Sequence, residues 1–149
     1  MGFPSQADYE LLIYTLPRDH AGVISSSLHL YTTSRGTAII RGNIHFRNGI
    51  ELRVSEAVDF VAGRISDYGY IVFRGVERIR WYDPQPHPEI SELADTFPHH
   101  LHEPPDIKHN RKPAAGISFT APNLPTLIAD CIALGATLPA AGPPAENDE

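Results

Sequence analysis

The dipeptide Asn48-Gly49 constrains the fold of this chain most, because it separates two runs in which apolar and polar residues alternate. Both residues tolerate the positive φ angles that two-residue hairpin turns require. On one face, the apolar side chains before and after the turn are Ile40, Ile44, Phe46, Ile50, Leu52 and Val54. The pattern predicts that residues 37–47 and the run after Gly49 pair as antiparallel strands with one buried face.

Further strands are predicted on the C-terminal side of this hairpin. Residues 63–74 form a third run, Gly75 a turn, and residues 76–82 a fourth run, in which strict alternation puts Arg78 and Arg80 on one face. The predicted fold class is therefore α+β, with an antiparallel β-meander of about four to five strands.

Helices are expected at both ends of the meander. Residues 5–16 favour a short helix capped by Ser5, although a strand also fits, and residues 116–121 favour a short strand. Residues 123–134 predict a helix that ends at Gly135 and covers the sheet with an apolar face. The 149 residues suit one domain, placed at 1–138, with residues 139–149 as a disordered acidic tail.

Charge is distributed unevenly along the chain. A formal net charge of −6 disfavours nucleic-acid binding, because such affinity comes from neutralising phosphates. Residues 35–80, however, contain eight arginines against five acidic residues, and arginine outnumbers lysine ten to two in the chain. Guanidinium groups clamp phosphates and stack on bases. These arginines are therefore expected either to contact RNA or simply to face solvent.

Cysteine content and hydropathy bear on the cellular compartment in which the protein is expected. The single cysteine, Cys131, excludes a disulfide within the chain and a cysteine-rich zinc site, and its apolar helical position predicts a packing role. No apolar run approaches the ~20 residues that span a bilayer, and the first residues lack the pattern of a signal peptide. The sequence predicts a cytoplasmic protein without a membrane partner.

Residues 83–113 form a long Pro/His-rich segment. Proline removes backbone donors and disfavours long regular elements, so we expect an irregular connection with one helical turn near residues 90–95. Five of the eight histidines of the chain fall here, namely His87, His99, His100, His102 and His109. Histidine exchanges protons near neutral pH and is also the commonest metal ligand, so this concentration indicates chemistry.

Three interpretations of these histidines remain open. The first is general acid–base cleavage of a phosphodiester, with strand arginines as the cations that stabilise phosphate. The second is a metal site, in which His100 and His102 share a side if the chain is extended, and His99 and His102 do if it is helical. The third ligand would then be His87, His109 or a carboxylate such as Asp83, Glu103 or Asp106. The third is structural, with the rings bonded to backbone carbonyls along the sheet edge. Aromatic residues beside the segment fit either base stacking or the core, and we expect Trp81 in the core.

Four motifs resemble the TumE family of toxins from toxin–antitoxin systems over roughly residues 35–135. They are Tyr68-Gly69-Tyr70, Trp81-Tyr82-Asp83, Pro86-His87-Pro88-Glu89 and Phe97-Pro98-His99-His100-Leu101-His102. The family typically has a second histidine where this chain has Pro88, and often a histidine where it has Ile71. The resemblance implies growth inhibition that a cognate antitoxin protein neutralises.

The leading hypothesis is a toxin that acts as an endoribonuclease on an RNA substrate and requires no cofactor or metal. The acid and base candidates are His99, His100 and His102, with His87 as support. Asp83 would orient an imidazole, and Arg78 and Arg80 would bind phosphate. The alternatives are a metal-dependent nuclease or hydrolase that uses His99, His100 and His102 as ligands, and a non-enzymatic protein-binding module. The sequence leaves a homodimer open.

Overall fold

The computed structural model describes residues 2–137, and within that range eight strands form a single antiparallel sheet. The strands are β1 (Val23–Ser26), β2 (His29–Ser34), β3 (Thr37–Phe46), β4 (Ile50–Asp59), β5 (Arg64–Arg74), β6 (Glu77–Asp83), β7 (His100–His102) and β8 (Arg111–Pro113). The helices are α1 (Gln6–Tyr14), α2 (Leu16–Asp19), a 3-10 helix (Ser91–Thr96) and α3 (Leu124–Thr137). Strands β3 to β8 neighbour one another in chain order, while β1 and β2 both pair with β3.

The predicted hairpin at Asn48-Gly49 is confirmed. Strands β3 and β4 pair antiparallel through it, with Ile44 opposite Leu52, and Gly49 has a φ angle of 84°. The predicted third and fourth strands are confirmed as β5 and β6. The meander and the C-terminal helix therefore agree with the predicted α+β class.

The predicted number of four to five strands is too low. Strands β1 and β2 pair with successive halves of β3, and β7 and β8 extend the other edge. The junction of β1 and β2 passes close to Gly42, whose φ angle is 143°, and a Cβ atom there would lie 2.5 Å from the carbonyl oxygen of Ser27. Glycine is required at this position because neither the space nor the backbone conformation admits a side chain.

One face of the sheet is covered by α1 and α3, and we call it the helix face. The Ser5 hydroxyl caps α1 by accepting a hydrogen bond from the Asp8 amide at 3.2 Å, and Tyr9 of this helix is completely buried. Helix α3 buries its apolar side chains against the strands, chiefly Leu124, Leu127, Ile128 and Cys131. We call the opposite face of the sheet the open face.

Two predictions for the C-terminal part of the chain are wrong, and a third concerns residues that the structure does not describe. Residues 116–121 form turns instead of a strand, beginning at Gly116 with a φ angle of 81°. Helix α3 continues through Gly135 to Thr137, and Ile132, expected on its buried face, is 42% exposed. The acidic tail predicted at residues 139–149 lies outside the described residues.

No helix within residues 2–137 combines the length and the apolar character needed to cross a bilayer.

Candidate functional site

Pairing between β6 and β7 brings three of the predicted site residues together on the open face. Asp83 pairs with His100, and Trp81 pairs with His102. One carboxylate oxygen of Asp83 lies 3.1 Å from Nε2 of His100, and the other lies 2.9 Å from Nε2 of His102. Both histidines are almost completely buried. We call Asp83, His100 and His102 the Asp–His–His cluster.

Strand geometry explains why His100 and His102 share this side. Alternate residues of an extended strand point to the same face. The extended alternative of the sequence analysis is therefore confirmed for these two histidines, and Leu101 between them is buried in the hydrophobic core. The proline-rich segment thus contributes two short strands, β7 and β8, to the sheet.

The backbone carbonyl of Pro98 orients the ring of His100. Its Nδ1 lies 3.1 Å from the carbonyl oxygen of Pro98, while its Nε2 faces the other members of the cluster. Burial lowers the pKa of His100 below its ordinary value, against the opposing effects of the Pro98 carbonyl and the Asp83 charge.

The ring of His102 stacks on Trp81. The ring centres are 4.3 Å apart and the planes are inclined by 18°. The expectation of a core position for Trp81 is wrong, because Trp81 pairs with His102 on the open face and remains partly exposed. Its role is to hold the imidazole of His102 in place from one side.

His87 lies beside the Asp–His–His cluster. Its ring meets that of His100 edge to face, with the centres 5.2 Å apart and the planes at 76°. Nδ1 of His87 lies 3.1 Å from a carboxylate oxygen of Glu89. His87 also lines a mainly apolar cavity of about 310 Å³ with Phe97 and other residues of the same segment.

The structure separates His99 from the other predicted acid–base residues. Its Nδ1 lies 2.6 Å from the hydroxyl of Tyr68, and its ring stacks on that of Tyr68 on the helix face. Burial lowers the pKa of His99, and the charge of His100 adds to the effect. Of the metal-ligand sets expected from the sequence, the structure therefore brings together His100 and His102 with Asp83, and not with His99.

The two predicted phosphate-binding arginines point to different places. A bulge in the β5–β6 pairing puts Arg78 opposite Phe73 and Arg80 opposite Val72, so strict alternation fails here. Arg80 donates hydrogen bonds to Glu103 at 3.2 Å and to the Tyr82 hydroxyl at 3.3 Å, close to α3. Arg78 remains exposed.

A groove of about 370 Å³ on the open face was not anticipated from the sequence. Its lining includes Arg41, Ser55, Asp67 and Gly69. The register puts Arg41 opposite Ser55 and Ser55 opposite Gly69, so these residues form one row across β3, β4 and β5. Glycine inside a strand often marks a site where a ligand or another backbone segment approaches closely. Gly69, within Tyr68-Gly69-Tyr70, is therefore the sequence feature that could have indicated this groove.

The row leads towards the Asp–His–His cluster. The last pair between β5 and β6 is Tyr70 opposite Tyr82, and Gly69 and Asp83 are the next residues along these two strands. Tyr68 also lines the groove, and burial raises its pKa most, followed by the charges of Asp83 and Asp67. Groove and cluster are therefore neighbours on one face.

These features define the class of protein as a small α+β protein with a buried carboxylate–imidazole centre on the open face of its sheet. A family model described as Toxin TumE matches residues 13–134, so the chain belongs to the TumE toxin family. The match begins further towards the N-terminus than the motifs quoted from the sequence. No curated protein and no solved structure matched the chain significantly. The chain is accordingly the toxin component of a toxin–antitoxin system, and membership of the family implies a cognate antitoxin.

Proposed function

We propose that this toxin inhibits growth as an endoribonuclease whose reactive centre is the Asp–His–His cluster. One observation carries the proposal: a carboxylate and two buried imidazoles converge beside an open groove that contains an arginine. Removing ionisable groups from water is costly, and proteins concentrate such arrangements at functional sites. The cluster is also built from the histidine motif that is characteristic of the family.

The open face suits a single strand of RNA. Arg41 lines the groove, and Arg53 is exposed on the next strand with its guanidinium 4.7 Å from the centre of the Phe73 ring. Guanidinium groups and accessible aromatic rings are the usual contacts of single-stranded nucleic acids. Trp81 lies on the same face beside His102. RNA bound along the groove would bring a phosphate up to the cluster.

RNA carries its own nucleophile, which explains how so small a site suffices. The 2′-oxygen attacks phosphorus, the bond from phosphorus to the 5′-oxygen breaks, and a 2′,3′-cyclic phosphate and a 5′-hydroxyl result. The proton of the 2′-hydroxyl passes to His87, which lies next to His100. The departing 5′-oxygen receives a proton from protonated His102, which lies 2.9 Å from Asp83, and the proton held by His87 returns to His102 through solvent. Each positioned proton transfer accelerates such a reaction by roughly 10²–10⁴-fold.

The direct test is cleavage of total cellular RNA by the purified toxin carrying no histidine tag. We expect cleavage with 2′,3′-cyclic phosphate ends, and a loss of about 100-fold or more in His100→Ala and in Asp83→Asn. His109→Ala is the matched control, because His109 belongs to the same segment but is exposed, and its ring contacts nearby Asp106. Thermal melting of each variant separates a lost activity from a lost fold.

Two results would overturn the proposal. RNA left intact by folded wild-type toxin is one, and undiminished cleavage by folded Asp83→Asn is the other. The competing function is a protein-binding module that inhibits growth without catalysis. That function predicts growth inhibition in cells by folded Asp83→Asn equal to the wild type, with rescue by the antitoxin in both cases. We expect Asp83→Asn to be harmless instead.

A further inference from the structure

Four donor atoms of the Asp–His–His cluster lie close together, namely both carboxylate oxygens of Asp83 and one ring nitrogen of each histidine. Nε2 of His100 and Nε2 of His102 are 3.1 Å apart, and the Asp83 oxygens lie 3.1 and 2.9 Å from them. Donors bound to one metal ion at about 2.1 Å are about 3.0 Å apart on an octahedral face and about 3.4 Å apart in a tetrahedron. The observed contacts of 2.9–3.1 Å are close to the spacing of neighbouring octahedral ligands, with one or both oxygens of Asp83 within reach of the ion.

Hydrogen bonds between neutral rings cannot account for all three short distances. Nδ1 of His100 faces the Pro98 carbonyl, which only accepts, so the hydrogen of the neutral ring lies on Nδ1 and Nε2 presents a lone pair. That lone pair points at an oxygen of Asp83, which is also an acceptor. A cation bound between these donor atoms turns this repulsion into attraction and satisfies the carboxylate and both ring nitrogens together.

The surroundings of the cluster resemble the outer shell of a metal site. Ligating histidines usually donate their other ring hydrogen to a carbonyl or carboxylate, and His100 does so to Pro98. His102 is fixed by stacking on Trp81, and within residues 2–137 its buried Nδ1 has no hydrogen-bond partner. Polar neighbours thus engage His102 through Nε2 alone, the atom that faces His100 and Asp83.

We infer that Asp83, His100 and His102 bind one divalent first-row transition-metal ion through one carboxylate and two imidazoles. Hard ions such as Mg²⁺ and Ca²⁺ prefer sites built from oxygen, so this donor set disfavours them. The remaining coordination positions take water or a phosphate oxygen. The role of the ion in cleavage rests on the proposed function, whereas its binding does not. In cleavage, the ion would supply an acidic water ligand as the proton donor for the 5′-oxygen in place of His102, while His87 would still accept the proton of the 2′-hydroxyl.

The test is isothermal calorimetry of untagged toxin, stripped with chelator and titrated separately with Mn²⁺, Zn²⁺ and Mg²⁺. We expect one Mn²⁺ or Zn²⁺ per chain and no measurable Mg²⁺ binding. Affinity falls by about 100-fold or more in His100→Ala and in the more conservative Asp83→Asn. His109→Ala, the matched control, binds as the wild type does. Equal affinity in the wild type and in folded Asp83→Asn, or no binding of either transition metal, overturns the inference.

Cobalt supplies a second readout that does not depend on activity. Co²⁺ bound to the toxin is expected to show visible absorption bands that disappear in His100→Ala, whereas bands unchanged in that variant contradict the assignment. The two proposals fail in distinguishable ways. Metal binding without RNA cleavage overturns the endoribonuclease and leaves the metal site standing. RNA cleavage by chelator-treated toxin that binds neither Mn²⁺ nor Zn²⁺ overturns the metal site and leaves the endoribonuclease standing.

Discussion

The hydroxyl of Tyr68 lies 2.6 Å from Nδ1 of His99, and this contact holds His99 on the helix face of the sheet. The ring of His99 also lies 4.6 Å from that of Phe119, centre to centre. His100, one residue further along, is on the open face with Asp83. The two adjacent histidines thus lie on opposite faces of the sheet, and of the two only His100 belongs to the Asp–His–His cluster.

We expect His99→Phe to retain RNA cleavage within a few-fold and His100→Phe to abolish it. The substitution at His99 keeps the aromatic contacts with Tyr68 and Phe119 but leaves the Tyr68 hydroxyl without its partner. The free energy of unfolding should therefore fall by about 1–3 kcal/mol. Urea denaturation and RNA cleavage by the same preparations check this. An inactive but stably folded His99→Phe would show that His99 acts in the reaction.

Local patterns were sufficient to predict the centre of the fold. The turn at Asn48-Gly49 and the alternation on either side determine the β3–β4 pairing without information from distant residues. The extra strands lacked such signals. Strand β1 has four residues of which one is buried, and β7 has three residues within a proline-rich segment. Their pairing depends on long-range contacts, such as that between Asp83 and His100.

The candidate site was also predictable only where local sequence patterns determine its geometry. Alternation in an extended strand was enough to suggest that His100 and His102 share a side. It misplaced Arg80, because the bulge in β6 shifts the phase of every residue after it. It also could not show that Asp83 lies between the two imidazoles, since that follows from how β6 and β7 pair. The groove depends on three strands at once and leaves only Gly69 as a local sign.

Arg41 and Arg80 are expected to respond in opposite ways to replacement by alanine. Arg41→Ala should weaken RNA binding several-fold and reduce its dependence on salt, because an exposed guanidinium in the groove is removed. Arg80→Ala should leave RNA affinity unchanged and lower the stability by about 1–2 kcal/mol, because the bonds to Glu103 and Tyr82 are lost. Filter binding at several salt concentrations and urea denaturation distinguish the two. A loss of RNA affinity in Arg80→Ala but not in Arg41→Ala would indicate that RNA binds on the helix face.

Glu56 is expected to make stability depend on pH. The carboxyl is 1% exposed on β4 and accepts hydrogen bonds from the hydroxyls of Tyr9 and Tyr70. Burial raises its pKa in the folded state, while the two hydroxyls oppose the rise. Stabilisation by the protonated carboxyl is therefore complete below its unfolded pKa, about 4.3, and is lost as pH rises through the raised folded value.

Glu56→Gln isolates this contribution, because the amide imitates a protonated carboxyl but does not titrate. We expect the free energy of unfolding of Glu56→Gln to lack the decline with rising pH seen in the wild type. Glu56→Ala should cost about 2–4 kcal/mol at pH 4, since it leaves a cavity and two unpaired hydroxyls, and the cost should shrink as pH rises. Urea denaturation from pH 4 to pH 8 provides the comparison. Parallel profiles for wild type and Glu56→Gln would contradict the raised pKa.

Gly69 offers a way to fill the groove without disturbing the fold. A Cβ atom added at Gly69 would meet no other atom within 4 Å. Gly69→Ala should therefore fold at least as well as the wild type, because a strand glycine gains from losing conformational freedom in the unfolded chain. Gly69→Leu should also fold, but its side chain occupies the groove between Ser55 and the position of Asp83. RNA binding should then weaken by about ten-fold, equivalent to about 1.4 kcal/mol.

Metal affinity separates this steric effect from damage to the cluster. Gly69→Leu should bind Mn²⁺ or Zn²⁺ as the wild type does, because the three donor atoms belong to β6 and β7 and not to β5. RNA affinity and metal affinity are measured on the same preparation, with Gly69→Ala as the matched control. If Gly69→Leu binds RNA as tightly as Gly69→Ala does, the RNA does not lie in the groove. Its path to the Asp–His–His cluster would then run past His87 and Phe97, where the second cavity opens.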